Sequence, residues 1–255
     1  MPFQSENSPI PIPPPGEDEL PYDDGEPMES ERHRAQMDLL IEVLQLFWSD
    51  RDDVYVSGNM AIYFSELQAK KNDFRGPDVF VVLDTTRRER KSWVVWQEDG
   101  RTPDVVIELL SDSTAAVDRG DKMRIYAKLL HVPEYYLFDP FSGTLEAYAL
   151  DRASRSYVPV LPEANGDVPS ASLGLRLGVR QGIYRGLQVD WLRWLDAQGR
   201  VLPTGEEQAR AAEEQARAAE EQARTASDEA KRLAARLAAY EKQFGPLPGN
   251  GSDER

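Results

Sequence analysis

The spacing of apolar positions changes three times along the chain, and each change marks a different kind of element. Met37, Leu40, Ile41, Leu44, Phe47 and Trp48 follow the i, i+3, i+4, i+7 spacing of one helix face. Ser30 stands where an N-cap is needed and Glu31 suits the first turn. This pattern predicts a first helix that buries the stripe. The period then drops to two. Val54–Ser57 and Met60–Phe64 read as strands joined at Gly58-Asn59, a hairpin signal. Two runs then repeat one design, Gly76-Pro77-Asp78 before Val79–Leu83 and Thr102-Pro103-Asp104 before Val105–Leu110. Each is a continuous apolar run introduced by Pro-Asp, as expected of inner strands covered on both faces. Trp93–Trp96 suggests a short strand between them.

Asp118–Leu130 returns to helical spacing, with Asp118 as its cap, Asp121 near its N-terminus, and Tyr126, Leu129 and Leu130 as apolar contacts. Pro133 stops it, and Glu134–Asp139 comes back as a strand around Tyr-Tyr-Leu-Phe. Strand, helix and strand in this order predict one crossover unit. Ser142-Gly143 turns into a strand at Thr144–Leu150, and residues 151–204 read as further β segments ending at Trp191–Leu195.

Beyond that point the pattern is a repeat. Glu-Glu-Gln-Ala-Arg-Ala-Ala occurs at 206–212 and again at 213–219. A seam runs Ala209, Ala212, Ala216, Ala219, Ala223, Ala226, Ala230, Leu233, Leu237, Tyr240 and Phe244, in alternating steps of three and four. That is coiled-coil spacing on a long helix, and it offers a surface for a homo-oligomer through residues 206–244. Alanine buries little, so the first three heptads contribute weakly to association. The expected organisation is a Pro-rich acidic tail at 1–27, a domain at 28–204, a heptad helix at 205–244 and a frayed tail at 245–255. The first tail is read as disordered, because its 27 residues include eight prolines and few aliphatics.

Composition narrows the chemistry. The 255 residues include no cysteine and two histidines, His33 and His131. This excludes disulfides, thiol catalysis, cysteine zinc sites and histidine-rich metal centres. No apolar run is long enough for a membrane span, and the acidic, Pro-rich start is unlike a signal peptide. The expected compartment is the cytoplasm. The net charge of −15 taken as a total argues against nucleic acid, but Met1–Glu31 carries −9 of it and Arg32–Gly205 only −3. That leaves open whether the acidic tail competes with phosphate for a basic surface.

With so few other groups, chemistry falls to acids and a lysine. Glu108 interrupts the apolar strand Val105–Leu110, where an unpaired carboxylate costs several kcal/mol. Asp78 opens the other inner strand and lies within reach if the two strands are neighbours. Two carboxylates on adjacent strands can hold Mg²⁺ with room left for water and a phosphate. Asp104 shares the face of Glu108 but sits roughly 13 Å along the strand, so Asp78 pairs with Glu108 ahead of it, and Asp104 is free to cap a turn or hold an arginine. Lys122 shares a helix face with Tyr126 and Leu129 and can approach Glu108 as an auxiliary cation. The structural alternative is a plain ion pair between Glu108 and Lys122 or an arginine. His33 reads as an exposed residue at a helix start or as a phosphate or metal contact. Arg87, Arg88, Arg90 and Lys91 read equally as phosphate-backbone contacts or as a solvated loop. Gly120-Asp121-Lys122 lacks the upstream glycines of a phosphate loop, and Ser111 and Ser113 lack a histidine partner for serine hydrolysis.

The string Pro103-Asp104, Glu108, Ser111-Asp112-Ser113-Thr114, Asp118, Lys122, Tyr126, Val132-Pro133-Glu134-Tyr135-Tyr136 and Asp139-Pro140 resembles the Uma2 family of restriction-endonuclease-like proteins. The resemblance covers about residues 29–200. It implies an α/β fold similar to the PD-(D/E)xK nucleases, a restriction-endonuclease-like mixed central sheet flanked by helices. It also implies Mg²⁺-dependent (or Mn²⁺-dependent) hydrolysis of DNA, with Asp78 and Glu108 as metal ligands. The superfamily's lysine, two residues past the glutamate, is Leu110 here, and Lys122 matches the family's lysine on the next helix. Asp112 stands where the family has proline and Tyr136 where it has tryptophan. Two rival readings remain: processing of RNA at the same site, or a catalytically silent fold that assembles through the heptads.

Overall fold

The computed structural model describes residues 14–20, 30–65 and 75–245. It contains two compact units, divided between Thr204 and Gly205. The expected disordered stretches at 1–13, 21–27 and 246–255 lie outside the described residues, whereas Pro14–Leu20 of the first tail is described.

In the first unit, α1 spans Glu31–Phe47 and is capped by Ser30, whose side chain accepts from the His33 amide. Its buried face is Ala35, Gln36, Leu39, Leu40, Val43 and Leu44. Phe47, expected in the stripe, is 48% exposed. Leu40, Leu44 and Trp48 of the expected stripe are buried, and Met37 and Ile41 are partly buried. Strands β1 (Val54–Ser57), β3 (Val79–Leu83), β5 (Val105–Leu109), β6 (Glu134–Asp139), β7 (Thr144–Asp151) and β8 (Ser156–Pro159) form one sheet in the order β1-β3-β5-β6-β7-β8. Only β5 and β6 run parallel; the other neighbours are antiparallel. This is a mixed sheet with the expected crossover at its centre, and both Pro-Asp strands are inner strands.

The crossover is continuous helix of unusual form. α2 (Ala115–Val117) runs into a π-helical turn (Asp118–Lys122) and then α3 (Met123–Lys128). Asp118 therefore lies inside the helix rather than capping it. Leu129 turns outward and is 56% exposed, while Ile125, Tyr126 and Leu130 fill the core. Alternation along the strands creates two cores. Val79, Val81, Val105 and Ile107 pack with α1 and with a second sheet of β9 (Val168–Ser170), β10 (Leu175–Tyr184) and β11 (Leu187–Leu195). On the opposite face Phe80, Val82, Val106, Tyr135 and Leu137 pack with Tyr126 and Leu130 of the crossover.

The expected hairpin at Gly58-Asn59 does not form. β1 pairs with β3, while β2 (Ile62–Tyr63) leaves to pair in parallel with β4 (Trp93–Val94) as a separate small sheet. Asn59 takes a left-handed conformation (φ 45°), and its amide donates to the Pro77 carbonyl. Gly58 is needed for close approach. A Cβ there would lie 1.9 Å from the carbonyl oxygen of Asp78. The strand exit at Gly58 thus presses directly on the backbone of a candidate site residue.

In the second unit α4 spans Gly205–Phe244 as one helix of 40 residues. Among the described residues no helix is long and apolar enough to cross a membrane.

Gly58→Ala is expected to lower stability by about 1–3 kcal/mol, because the methyl group must push strand backbone aside. Gly120→Ala, with open space around its Cβ position, is the control and should change stability little. Urea unfolding of both variants measures the difference.

Candidate active site

The ladder between β3 and β5 pairs Val79 with Ile107, Phe80 with Val106 and Val81 with Val105. One further step sets Asp78 opposite Glu108. By strand alternation both belong to the face of Phe80 and Val106, which the crossover helix covers. Asp78 Oδ2 accepts from the Leu109 amide at 2.6 Å, which anchors it at the end of the neighbouring strand. The Pro-Asp before β5 does the equivalent job at the other end of the ladder, where Asp104 Oδ2 accepts from the Leu83 amide at 2.7 Å. Asp104 is thus not brought to Glu108. It holds the last amide of the partner strand, rather than capping a turn or holding an arginine.

Glu108 is 1% exposed. Its Oε2 lies 3.0 Å from Lys122 Nζ, and its Oε1 accepts from the Tyr126 hydroxyl at 2.9 Å. Lys122 also lies 2.8 Å from Asp118 Oδ1 as an ionic contact, with no hydrogen bond aligned on that oxygen. The spacing 118, 122, 126 along the π turn and α3 directs all three side chains at the strand. The turn itself is tied down where the Tyr135 hydroxyl donates to the Asp118 carbonyl at 3.0 Å. π turns of this kind recur at functional sites. Asp118 and Tyr126 were read from sequence as a cap and an apolar contact. Their i, i+4, i+8 spacing about Lys122 was the signal that they belong to the site.

The electrostatics follow from burial. Removal from water pushes the Glu108 carboxyl up to about 8; Lys122 opposes this, and Asp78 and Asp118 add to it. Burial works against the Lys122 ammonium, but Glu108 and Asp118 outweigh it and hold its pKa above the ordinary lysine value. The Tyr126 hydroxyl is raised by burial and by Glu108, so it remains a donor. Lysine has three N–H bonds. One is directed at Glu108, and with the side chain 21% exposed Lys122 keeps donor capacity toward solvent.

Leu110 occupies the position two residues past the glutamate. It faces the same side as Glu108, is 3% exposed, and packs among Ile125, Tyr126 and Leu130. The site's cation therefore arrives from the crossover helix rather than from the strand. His33 is buried, contrary to the expectation of an exposed helix start. Its Nε2 donates to the Leu110 carbonyl at 3.0 Å, which leaves Nδ1 to accept from the Ser30 hydroxyl at 2.8 Å. It contacts neither carboxylate, and it ties α1 to the strand just beyond Glu108. Of the basic cluster, Arg90 is structural. It is buried, bonded at 2.7 and 2.8 Å to both oxygens of Glu98, and stacked on Tyr55 and Trp93.

Comparison with known proteins places these residues in context. A family model described as "Uma2: Putative restriction endonuclease" matches residues 11–189. A protein of Synechocystis sp., named "Uncharacterized protein slr1290", is 32% identical over 111 residues, 44% of this chain and 54% of that one. The chain thus spans about half the length of this curated relative. A crystal structure titled as "a putative nuclease belonging to DUF820 from Anabaena variabilis" aligns at 19% identity with a TM-score of 0.42, covering 63% of this chain and 86% of the other.

Glu108 ties stability to pH. Its folded-state pKa, about 8, lies above its ordinary value of 4.5. The folded protein therefore holds this proton more tightly, so the contribution is full below about 4.5 and is lost as pH rises through about 8. Urea unfolding at about pH 5 and about pH 9 should show wild type losing more stability than Glu108→Gln over this range. Equal losses would refute the assignment of the shift to this carboxyl.

Proposed function

Because the chain belongs to the Uma2 family, we propose that it is a nuclease that hydrolyses DNA phosphodiester bonds with Mg²⁺ (or Mn²⁺) held by Asp78 and Glu108. The observation that carries this reading is a buried glutamate facing an aspartate across an inner strand pair, with a half-committed lysine beside them. A structural ion pair needs none of the extra acids. One lysine opposite one glutamate would neutralise the strand, yet Asp78 and Asp118 add negative charge to a site already low in water.

The donor set fits such an ion. All donors are hard carboxylate oxygens, and the two leading ones sit opposite one another at the end of a ladder. Among the described residues no three His, Cys, Asp or Glu converge tightly enough to cage an ion unaided. Two carboxylates with water and substrate oxygen completing the shell is a set that Mg²⁺ accepts. A bound ion would supply an activated water and charge neutralisation at the phosphate.

The chain's own groups do the rest. The Leu109 amide holds Asp78 in place from one side. Tyr126 and Lys122 hold the two oxygens of Glu108, so the carboxylate cannot rotate away. Asp118 keeps Lys122 charged and oriented. The remaining donor capacity of Lys122 is available to a phosphate oxygen, where added negative charge in the transition state would strengthen the contact.

Purified protein with Mg²⁺ or Mn²⁺ is expected to nick supercoiled plasmid. Glu108→Ala and Asp78→Asn should each lose at least about a hundredfold in rate, and Lys122→Met about tenfold or more. Asp104→Asn, at the far end of the strand, should stay within a few-fold of wild type. Cleavage by Glu108→Ala at the wild-type rate would overturn the mechanism.

We also propose that the chain self-associates through the end of α4. Leu233, Leu237, Tyr240 and Phe244 lie on one seam with exposures of 46–65%, and the helix has no buried residue. Light scattering should report an oligomer for the full chain and a monomer for Leu233→Glu/Leu237→Glu. An unchanged mass would reject the seam.

A further inference from the structure

The segment Pro14–Leu20 is acidic, yet it is fastened to the first unit. Leu20 is 8% exposed and packs with Ala61, Tyr63 and Val94, and Trp96 borders the same cluster. The Trp96 indole donates to the Pro15 carbonyl at 3.1 Å, and the Glu17 amide donates to Gln97 Oε1 at 3.0 Å. A turn closes where the Glu19 amide meets the Gly16 carbonyl at 3.0 Å. These contacts anchor the strap by backbone and apolar groups. Glu19 accepts from the Gly16 amide at 3.2 Å and closes the turn, so the anchoring leaves Glu17 and Asp18 to serve another purpose.

They lie on the basic cluster. Glu17 Oε1 is 3.3 Å from Arg88 Nη1, and Glu17 Oε2 accepts from the Lys91 amide at 3.2 Å. Asp18 Oδ1 is 2.7 Å from Lys91 Nζ. Two successive acids thus meet two cations three residues apart and a backbone N–H. A run of phosphates would find the same donors there. We propose that Arg88 and Lys91 form a contact for the DNA phosphate backbone, and that the acidic turn of the chain's own strap occupies it until DNA displaces it.

Three observations favour displacement over a permanent clasp. First, the pairs are exposed, with Arg88 42% and Lys91 59% open, and exposed pairs are individually weak. The buried pair of the same cluster, Arg90 with Glu98, does the structural work and also positions Arg88, whose Nη2 lies 2.6 Å from Glu98. Second, Trp93, in the strand beneath this loop, packs in the same core as Val106, Tyr126 and Leu110. Arg90, stacked on Trp93, thus ties the basic loop to the core that the carboxylate site shares, with Arg88 at the β1 edge beside Tyr55 and Val56. Third, charge accounts for the need. Arg32–Gly205 carries 25 acidic and 22 basic residues, a net of −3, while Met1–Glu31 carries −9. A domain so nearly neutral has few cations to offer a polyanion, and its own acidic segment covers two of them.

The inference rests on the nuclease reading for the identity of the polyanion, and its test avoids catalysis. Binding of a fluorescent duplex of about 20 base pairs, measured by anisotropy in EDTA, involves no metal at Asp78 and Glu108. Glu17→Gln/Asp18→Asn is expected to bind more tightly than wild type, with a salt slope steeper by about 1.8 for two added phosphate contacts. That slope makes the gain about tenfold larger at about 50 mM than at about 200 mM salt. Leu20→Ser, which changes no charge but removes the anchor, should gain in the same direction. Adding Arg88→Gln/Lys91→Gln to either variant should erase the gain. No gain in either variant, or a gain that survives loss of Arg88 and Lys91, would overturn the strap. Plasmid nicking reports on the nuclease reading separately. Tighter metal-free binding with no cleavage by any variant would refute that reading and leave the strap standing.

Discussion

The site depends on one constraint, a carboxylate that must be kept on an inner strand of a sheet covered on both sides. Glu108 is buried at a position whose strand neighbours are Val106 and Leu110, and removing its charge from water is costly. The surrounding architecture offsets that cost. The crossover helix brings Lys122 and Tyr126 to the two oxygens, and its π turn places Asp118 behind the lysine. Tyr135 on β6 then holds the π turn to the sheet. Removing any one partner would leave a buried polar group without its counterpart. Replacing Glu108, Lys122 and Tyr126 together by well-packed apolar side chains would typically cost the sheet nothing. Stability therefore does not explain the glutamate, and the surplus acids Asp78 and Asp118 make a purely structural account weaker still.

The two Pro-Asp strands show how one local motif comes to serve two ends. Proline fixes the entry to each strand, and the aspartate that follows accepts the amide at the far end of its partner. The two caps are equivalent, and they sit at opposite ends of the same ladder. What separates them is the register partner. Asp78 faces Glu108, while the step occupied by Asp104 faces the apolar strand. Gly58 sharpens the difference, because its missing side chain lets β1 press against the carbonyl of Asp78.

Much of this arrangement was legible in the residues, and the failures have common causes. Continuous apolar runs after Pro-Asp identified the inner strands, because only strands covered on both faces tolerate such runs. A glutamate inside one of them stood out for the same reason. Distance along a strand is enough to separate Asp104 from Glu108. Partner choice was not legible. Gly58-Asn59 carries hairpin chemistry, yet β1 pairs with β3, since a local turn preference of this size yields to a buried sheet edge. Helical periodicity also misled by one residue. Leu129 stands past the last residue of α3 as its C-cap, and there it turns outward. Asp118 looked like a cap because a regular helical reading begins at that acid, whereas α2 and the wider turn carry the helix through it. His33 shows another limit. Its burial depends on the carbonyl of Leu110, a partner 77 residues away.

Net charge has to be read by location and by depth. The total of −15 describes a chain whose negative ends and nearly neutral middle behave differently. Within the middle, Glu108 is buried and Glu98 is spent on Arg90, so neither presents its charge to a long-range partner. The charges that an approaching polyanion meets are the exposed ones, and among these Arg88 and Lys91 face Glu17 and Asp18 of the same chain. An intramolecular segment acts at a high effective concentration, so individually weak pairs can cover a surface that the same acids in solution would not. Salt screens such pairs and a long polyanion competes with them collectively. The same weakness that makes each contact negligible for stability makes the covering reversible.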